Sequence, residues 1–255
     1  MVVDFDKSSA TIKKRGAGFK ETVRVNTSLD HNIRAVCFDL DGVLVDAADW
    51  HRDAFNQALI HYRYDALDQD DHLKNFNGLS TYKKLEMLYK RGVFPDSQKF
   101  IETEDSSIKN LWSEVYKRKQ KYTIQIIEEF CKPIPRVQAT VELAGFIFAD
   151  KIAVVTNCSR YTAELMLEKS GLLHLFEFLI CNEDVNGNIK PSPLPYLTAV
   201  NRFGLRPNQV LAIDDTGKGI MSAIDAFCRT WFLKKFKHLT EDHLVNVLDN
   251  YRINI

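Results

Sequence analysis

The sequence lacks the features that mark membrane, secreted or nucleic-acid-binding proteins. No apolar stretch approaches the roughly 18 residues that span a bilayer, and residues 1–30 lack the apolar centre of a signal peptide. Thirty-four basic residues balance 34 acidic ones, which argues against nucleic-acid binding through bulk charge. We therefore expect a cytoplasmic protein with no nucleic-acid or membrane partner, and 255 residues are enough to bury a core.

Cysteine is also scarce, and its spacing carries no metal-binding pattern. Three of the five cysteines lie within or beside apolar runs, so we predict that the cysteines serve as small, buried hydrophobic residues. The five are Cys37, Cys131, Cys158, Cys181 and Cys228. Cys158 follows Thr156 and Asn157, and a nucleophilic role is the alternative for it, although the sequence identifies no basic partner.

Residues 1–31 are a polar N-terminal extension rich in Ser, Thr, Lys and Gly. Their weakly apolar mixture, with a basic run at 13–15, predicts a mobile segment. A protein-binding arm is the alternative, because a charge run can serve either purpose.

Three apolar runs, at 35–38, 152–155 and 210–213, read as buried strands. From the second run onward, strands and helices alternate to the end of the chain. This alternation predicts an α/β fold, a doubly wound parallel sheet with helices on both faces. The carboxyl ends of parallel strands meet at one edge of such a sheet, where ligands bind.

Between the first two runs the apolar periodicity is helical. Trp50, Ala54, Ala58 and Tyr62 recur four residues apart, and two further amphipathic segments follow. We predict a helical cap over 47–132, inserted into a catalytic core formed by 32–46 and 133–255. Two prolines near residue 134 mark the return to the core.

Two carboxylates follow the first strand and suit phosphoryl transfer. Asp39 and Asp41 are two residues apart on an extended segment, so they project to the same side. One can attack phosphorus as a nucleophile. The other, when protonated, can donate to the leaving oxygen and later accept a proton from water.

Further groups after the other strands complete this chemistry. Asp214 and Asp215 add oxygen ligands, which a hard cation such as Mg²⁺ prefers. Such a cation would screen the repulsion between a carboxylate and an anionic phosphate. Lys190 offers a fixed positive charge, and the Thr156 hydroxyl can donate to phosphoryl oxygens.

These segments, in this order, resemble the four motifs of the haloacid dehalogenase superfamily. The resemblance spans 34 to about 235 and rests on 39–46, on 190–193 and on 215–220. The helical insertion is similar to the C1 cap of the subgroup that contains phosphoglycolate phosphatases, sugar phosphatases and β-phosphoglucomutases. Phe227 departs from the pattern, because the family often has a glycine at this position, where the helix after the fourth motif ends.

The resemblance implies a role for each motif residue. Asp39 would be the nucleophile and Asp41 the general acid/base, while Lys190 would anchor the charge and bind phosphate. Thr156 and Asn157 would be phosphate ligands. The implied Mg²⁺ ligands are Asp39, the backbone carbonyl of Asp41, Asp214 and Asp215.

Several cap residues are candidates for substrate contact. They are His51, Ser80, Lys84 and Lys119. His51 matches a histidine that β-phosphoglucomutases use near their substrate, with a structural histidine on an apolar helix as the alternative. The lysines are suited to a second anionic group, with a solvated face as the alternative.

We therefore predict a Mg²⁺-dependent phosphatase that hydrolyses a small phosphomonoester, a sugar phosphate or related metabolite, through an aspartyl phosphate. A sugar phosphomutase with the same intermediate is the first alternative. The family's mutases generally carry an Arg near Thr81, and this sequence has none there. A non-catalytic binding protein, recruited through the extension, is the second alternative.

Overall fold

The computed structural model describes residues 32–76, 79–94 and 106–251, together with three strands near the N-terminus. These strands pair antiparallel in chain order and are β1 (Val2–Asp6), β2 (Ser9–Gly16) and β3 (Phe19–Asn26). The prediction of an irregular, mobile extension omitted them. Its polar composition concealed an alternation in β3, where Phe19, Val23 and Val25 alternate with polar residues, a pattern that favours a strand. Residues 27–31 lie outside the described residues.

The core is a parallel sheet of five strands in the order β6-β5-β4-β7-β8. These strands are β4 (Ala35–Phe38), β5 (Ile152–Val155), β6 (Phe178–Ile180), β7 (Val210–Asp214) and β8 (Arg229–Phe232). In the central strand β4, Phe38 pairs with Val154 on one side and Ile213 on the other. This register brings the carboxyl ends of three strands side by side, as predicted.

Helices cover both faces of this sheet, which confirms the doubly wound α/β fold. They are α1 (Ala48–His61), α2 (Gln69–Asp71), α3 (Thr81–Lys90), α4 (Ser106–Phe130), α5 (Pro135–Ile147), α6 (Arg160–Lys169), α7 (Leu194–Phe203), α8 (Gly217–Asp225) and α9 (Glu241–Asp249). Alternate residues of β4 face opposite ways. Val36 and Phe38 pack in a core with α5, α6 and α9, whereas Ala35 and Cys37 pack with α7 and α8.

The inserted helices have an apolar core of their own, centred on buried Phe55, Phe76, Leu85 and Val115. A π-helix at His72–Phe76 continues α2, and the periodicity did not predict it. Helix α4 extends to Phe130, and its C-terminal part packs Ile127 into the core of the sheet. The last cap helix is thus also a link to the catalytic core. Residues 95–105 lie outside the described residues, and the limits 47–132 stay a prediction.

Local signals explain where several helices begin and end. Gly204 closes α7 in the left-handed conformation with φ 66°, and the Thr240 hydroxyl oxygen accepts from the His243 N–H at 3.2 Å to cap α9. Helix α8 begins at Gly217, since the Thr216 hydroxyl oxygen caps it by accepting from the Gly219 N–H at 3.0 Å. No helix in the described part of the chain is both long and apolar enough to cross a bilayer.

Candidate active site

A cavity of about 200 Å³ lies where the carboxyl edge of the sheet meets the inserted helices. Its lining contains every predicted site residue except Asp214. From the core these are Asp39, Asp41, Thr156, Asn157, Lys190 and Asp215, and from the cap they are His51, Ser80, Lys84 and Lys119. Residues that are up to 176 positions apart in the chain, from Asp39 to Asp215, therefore meet at one site.

The Lys190 ammonium joins two carboxylates at the floor of this site. Its Nζ donates to Asp39 Oδ1 at 2.6 Å and to Asp214 Oδ2 at 2.7 Å, and all three side chains are buried. Burial alone would lower the pKa of Lys190, but Asp214 and Asp39 raise it well above its usual value. Lys190 is thus a fixed cation beside the carboxylate that would act as nucleophile.

Asp214 is saturated with hydrogen bonds. Besides Lys190, its Oδ2 accepts from the Tyr196 hydroxyl at 3.0 Å, and its Oδ1 accepts from the Thr216 N–H at 2.9 Å and hydroxyl at 2.8 Å. A Cβ at Gly219 would lie 1.9 Å from Asp214 Oδ2, so only glycine leaves room for this carboxylate. These contacts suit a residue that holds Lys190 in place. The sequence-based assignment of Asp214 as a metal ligand stays a prediction.

Asp215 has an orphaned oxygen instead. Its Oδ1 is buried and has no hydrogen-bond partner among the described residues, and burial together with Asp214 raises its pKa to about 7. A Cβ at Gly42 would lie 2.1 Å from Asp215 Oδ2, and Gly42 also has φ 82°, so this close approach requires glycine. The missing side chain at Gly42 thus makes room for the Asp215 carboxylate in the site.

These carboxylates fit a divalent cation. One oxygen from each of Asp39, Asp214 and Asp215 lies within 4.8 Å of the others. Burial raises the pKa of Asp39 well above its usual value, because Lys190 offsets only part of the burial and of the neighbouring negative charge. The all-oxygen donor set and the excess negative charge suit Mg²⁺. Asp39 and Asp215 are the side chains that would hold it, and the backbone carbonyl of Asp41 stays a ligand that the family resemblance implies.

Asp41 lies at the boundary between core and cap. His51 Nε2, from α1, is 3.1 Å from its Oδ1, and the Cys158 thiol donates to its Oδ2 at 2.9 Å. Burial would raise the pKa of Asp41, but His51, Cys158 and Lys119 outweigh it and lower the pKa. Lys119 Nζ is 3.1 Å from His51 Nδ1. Since an ammonium only donates, Nδ1 accepts and Nε2 carries the proton that faces Asp41.

Two motif residues after β5 have different contacts. The Thr156 side chain is buried, and its hydroxyl oxygen accepts from the Cys158 N–H at 3.1 Å, which leaves its own proton to donate. The Asn157 side chain is bound to the backbone of Lys190, accepting from its N–H at 2.9 Å and donating to its C=O at 3.2 Å. Asn157 therefore positions Lys190, and its side-chain role as a phosphate ligand stays a prediction.

The cap residues also have defined partners. Ser80 caps α3 by accepting from the Lys83 N–H at 3.3 Å. Lys84 is only 5% exposed and its Nζ is 3.1 Å from His72 Nε2. Sequence reasoning missed His72, because it lies on the unpredicted π-helix, and Lys218, which lines the cavity from α8. An i, i+12 pairing of His72 with Lys84 leaves no periodic signal to detect it.

Cys158 also belongs to this site. Its Sγ lies 3.6 Å from His51 Nε2, but that nitrogen carries the ring proton and cannot accept one from the thiol. Burial and Asp41 also raise the pKa of Cys158 well above its usual value. The thiol is favoured over the thiolate that a nucleophile needs, and the alternative nucleophilic role is not supported.

Comparisons with known proteins agree with this geometry. The sequence profile of the haloacid dehalogenase-like hydrolases matches residues 36–233. The chain is 28% identical over 204 residues to phosphoglycolate phosphatase from Salmonella typhimurium, covering 77% of this chain and 79% of that one. It is 25% identical over 188 residues to the fructose-1-phosphate phosphatase YqaB from Escherichia coli, covering 73% and 88%.

A solved structure shows the same fold. β-Phosphoglucomutase from Clostridium difficile superposes with a TM-score of 0.68 at 20% identity, over 86% of this chain and 98% of that one. The family profile covers most of the chain, and its span includes Asp39, Lys190 and Asp215. The chain therefore belongs to the haloacid dehalogenase-like hydrolase family and is a phosphatase of that family.

Proposed function

We propose that this enzyme is a Mg²⁺-dependent phosphatase that hydrolyses a small phosphomonoester through a phosphorylated Asp39. The observation that supports this most directly is the buried ion triad in which Lys190 binds both Asp39 and Asp214. A further carboxylate, Asp41, lines the same cavity. A buried lysine between two carboxylates orients the Asp39 oxygen and supplies positive charge where a phosphate would arrive.

In the first step, the Asp39 carboxylate oxygen attacks phosphorus while the bond from phosphorus to the leaving oxygen breaks. Asp41 gives a proton to that leaving oxygen. The lowered pKa of Asp41 favours its carboxylate form, but an arriving phosphate brings negative charge that raises this pKa. His51 would pass a proton from Nε2 to Asp41 across 3.1 Å while its Nδ1 takes one from the Lys119 ammonium, so that the ring stays neutral.

In the second step, water attacks the phosphorus of the Asp39 acyl phosphate. Asp41, now a carboxylate, accepts the proton of that water, and inorganic phosphate and free Asp39 result. The Thr156 hydroxyl and the Lys190 ammonium line the cavity and would bind the phosphoryl oxygens. When bound, Mg²⁺ would screen the negative charges of Asp39 and the phosphoryl group.

Two features support a small substrate. The cavity volume of about 200 Å³ suits a metabolite rather than a macromolecular segment. The relatives compared above are named for phosphoglycolate and fructose 1-phosphate, both small phosphomonoesters. We propose a sugar phosphate or a related phosphorylated metabolite as the substrate, and a cytoplasmic location for the enzyme.

A panel of small phosphomonoesters tests this function. We expect phosphate release from at least one of them with Mg²⁺, no release in excess chelator, and no release by the Asp39→Asn variant. Accumulation of a phosphosugar isomer in place of free phosphate would instead establish the mutase alternative, because both reactions share the acyl phosphate. If no compound of the panel releases phosphate with Mg²⁺, a non-catalytic binding protein would be favoured.

A further inference from the structure

Lys84 places a buried cation at the cap end of the cavity. Its side chain is only 5% exposed, and its ammonium contacts His72 Nε2 at 3.1 Å and lies 5.5 Å from the centre of the Phe55 ring. Among the described residues, no carboxylate forms an ion pair with it. A buried amine is ordinarily paired with an anion or loses its proton, so an anion from outside the described part of the chain would hold Lys84 in its charged form.

The neighbours of Lys84 hold its ammonium without neutralising it. Burial and the adjacent Lys84 lower the pKa of His72 to about 4, so His72 is neutral near pH 7 and accepts a hydrogen bond. Burial, with the charges of Lys119 and Lys218, lowers the pKa of Lys84 to about 7. The cap end of the cavity therefore presents basic groups from α3, α4 and α8, while the carboxylates that line the cavity follow β4 and β7.

We propose that Lys84, supported by neutral His72, binds a second anionic group carried by the leaving group of the substrate. This inference rests on the proposed phosphatase function, since the first anion is the phosphoryl group beside Asp39. The substrate class is a small phosphomonoester whose leaving group also bears a carboxylate or a second phosphate. A neutral, hydroxyl-only leaving group would bury the Lys84 ammonium without compensating its charge.

Matched substrate pairs separate this proposal from the proposed function. One pair is 2-phosphoglycolate and 2-hydroxyethyl phosphate, which differ in a carboxylate; the other is fructose 1,6-bisphosphate and fructose 1-phosphate, which differ in a phosphate. Binding is measured calorimetrically with Mg²⁺ on the Asp39→Asn variant, and phosphate release is measured on the enzyme with Asp39 intact. Both measurements, of binding and of phosphate release, are repeated with Lys84→Met and with the control Lys83→Met. Lys83 lies on the same helix but is exposed and paired with Glu86.

In at least one pair we expect the doubly anionic member to bind the Asp39→Asn protein about tenfold or more tightly, as a charge-assisted hydrogen bond allows. Lys84→Met should reduce that preference to within about threefold, and Lys83→Met should leave it. The pair that responds identifies the anion as carboxylate or phosphate. Lys84→Arg, which keeps the charge, should retain part of the preference.

Equal binding, or no binding, of both members of both pairs would overturn the inference, even if the enzyme releases phosphate from all four compounds. A preference that survives Lys84→Met would overturn it as well. If the preference depends on Lys84 but no compound is hydrolysed, the anion subsite stands and the proposed hydrolysis fails.

Discussion

His51 on the first cap helix lies 3.1 Å from the Asp41 carboxylate of the core, through Nε2 and Oδ1. The contact joins the inserted helices directly to the residue that would protonate the leaving group. Because Lys119 occupies the other ring nitrogen at 3.1 Å, the proton on His51 is directed at Asp41.

His51→Gln should therefore slow protonation of the leaving group. We expect kcat to fall about 10- to 100-fold for an alkyl phosphate, but by less than about threefold for 4-nitrophenyl phosphate, whose leaving group needs little protonation. Asp41→Asn should show the same dependence on the leaving group more strongly. An equal loss on both substrates would mean that His51 only packs the helix.

Asp215→Asn should separate metal binding from stability. Its Oδ1 has no hydrogen-bond partner to lose, and the substitution removes negative charge from a crowded site, so in chelator the variant should melt no lower than the wild type. Adding Mg²⁺ should raise the melting temperature of the wild type by mass action and leave that of the variant unchanged.

Asp214→Asn is the matched comparison. It breaks a buried ion pair with Lys190, so the free energy of unfolding should fall by about 3 kcal/mol. If instead this variant is stable and loses as much Mg²⁺ affinity as Asp215→Asn, then Asp214 is a metal ligand, as the sequence pattern predicted.

Lys84→Met should stabilise the protein in a pH-dependent way. The folded-state pKa of Lys84 is lowered from 10.5 to about 7, so between these values the unfolded chain binds more protons and wild-type stability rises with pH. The advantage of the variant should be largest below pH 7 and shrink by about 1.4 kcal/mol per pH unit above it. Lys84 contributes to the lowered pKa of both His72 and His51, so the slope is measured above pH 7, where both histidines are neutral, and Lys119 and Lys218 are common to both proteins.

Urea unfolding at several pH values from 6 to 9 measures this difference. If the free energies of unfolding of wild type and Lys84→Met differed by the same amount at every pH, folding would not disfavour the Lys84 ammonium. Lys83→Met is the control, because its exposed lysine should give no such trend.

Phe227→Gly should stabilise the protein by about 1 kcal/mol, since a left-handed backbone disfavours any residue with a Cβ. Phe227 has φ 59° just beyond α8, and its side chain is 78% exposed, so little packing is lost. The midpoint of urea unfolding gives the change, and Phe227→Ala, which keeps the Cβ, is the control. A loss of stability on Phe227→Gly would mean that the exposed ring contributes more than the strain costs.

The core site could be predicted because its residues lie at the ends of short, mostly apolar strands. Asp39 and Thr156 each come directly after an apolar strand, and Asp215 follows β7, whose last residue is Asp214; parallel topology then places them together. Gly204, which closes α7, and Thr240, which caps α9, are local signals of the same kind, because each acts within one turn of its own helix.

The contacts among the residues at the cap end of the site could not be predicted from the sequence, for a physical reason. The pairing of Lys84 with His72, and the approach of Cys158 to Asp41 across 117 positions, depend on how helices pack rather than on local periodicity. The antiparallel strands of residues 2–26 were missed because polar composition outweighed a short alternation.

The central claim is that Asp39 becomes phosphorylated, and trapping that species tests it most directly. The enzyme is mixed with Mg²⁺ and a substrate found in the panel, quenched in acid within one turnover, and digested for mass spectrometry. We predict an acid-stable, hydroxylamine-sensitive phosphate on the peptide containing Asp39, and neither the phosphate nor turnover in the Asp39→Asn variant. Phosphate release by Asp39→Asn above a few per cent of the wild-type rate, or a phosphate on any other residue, would contradict the account.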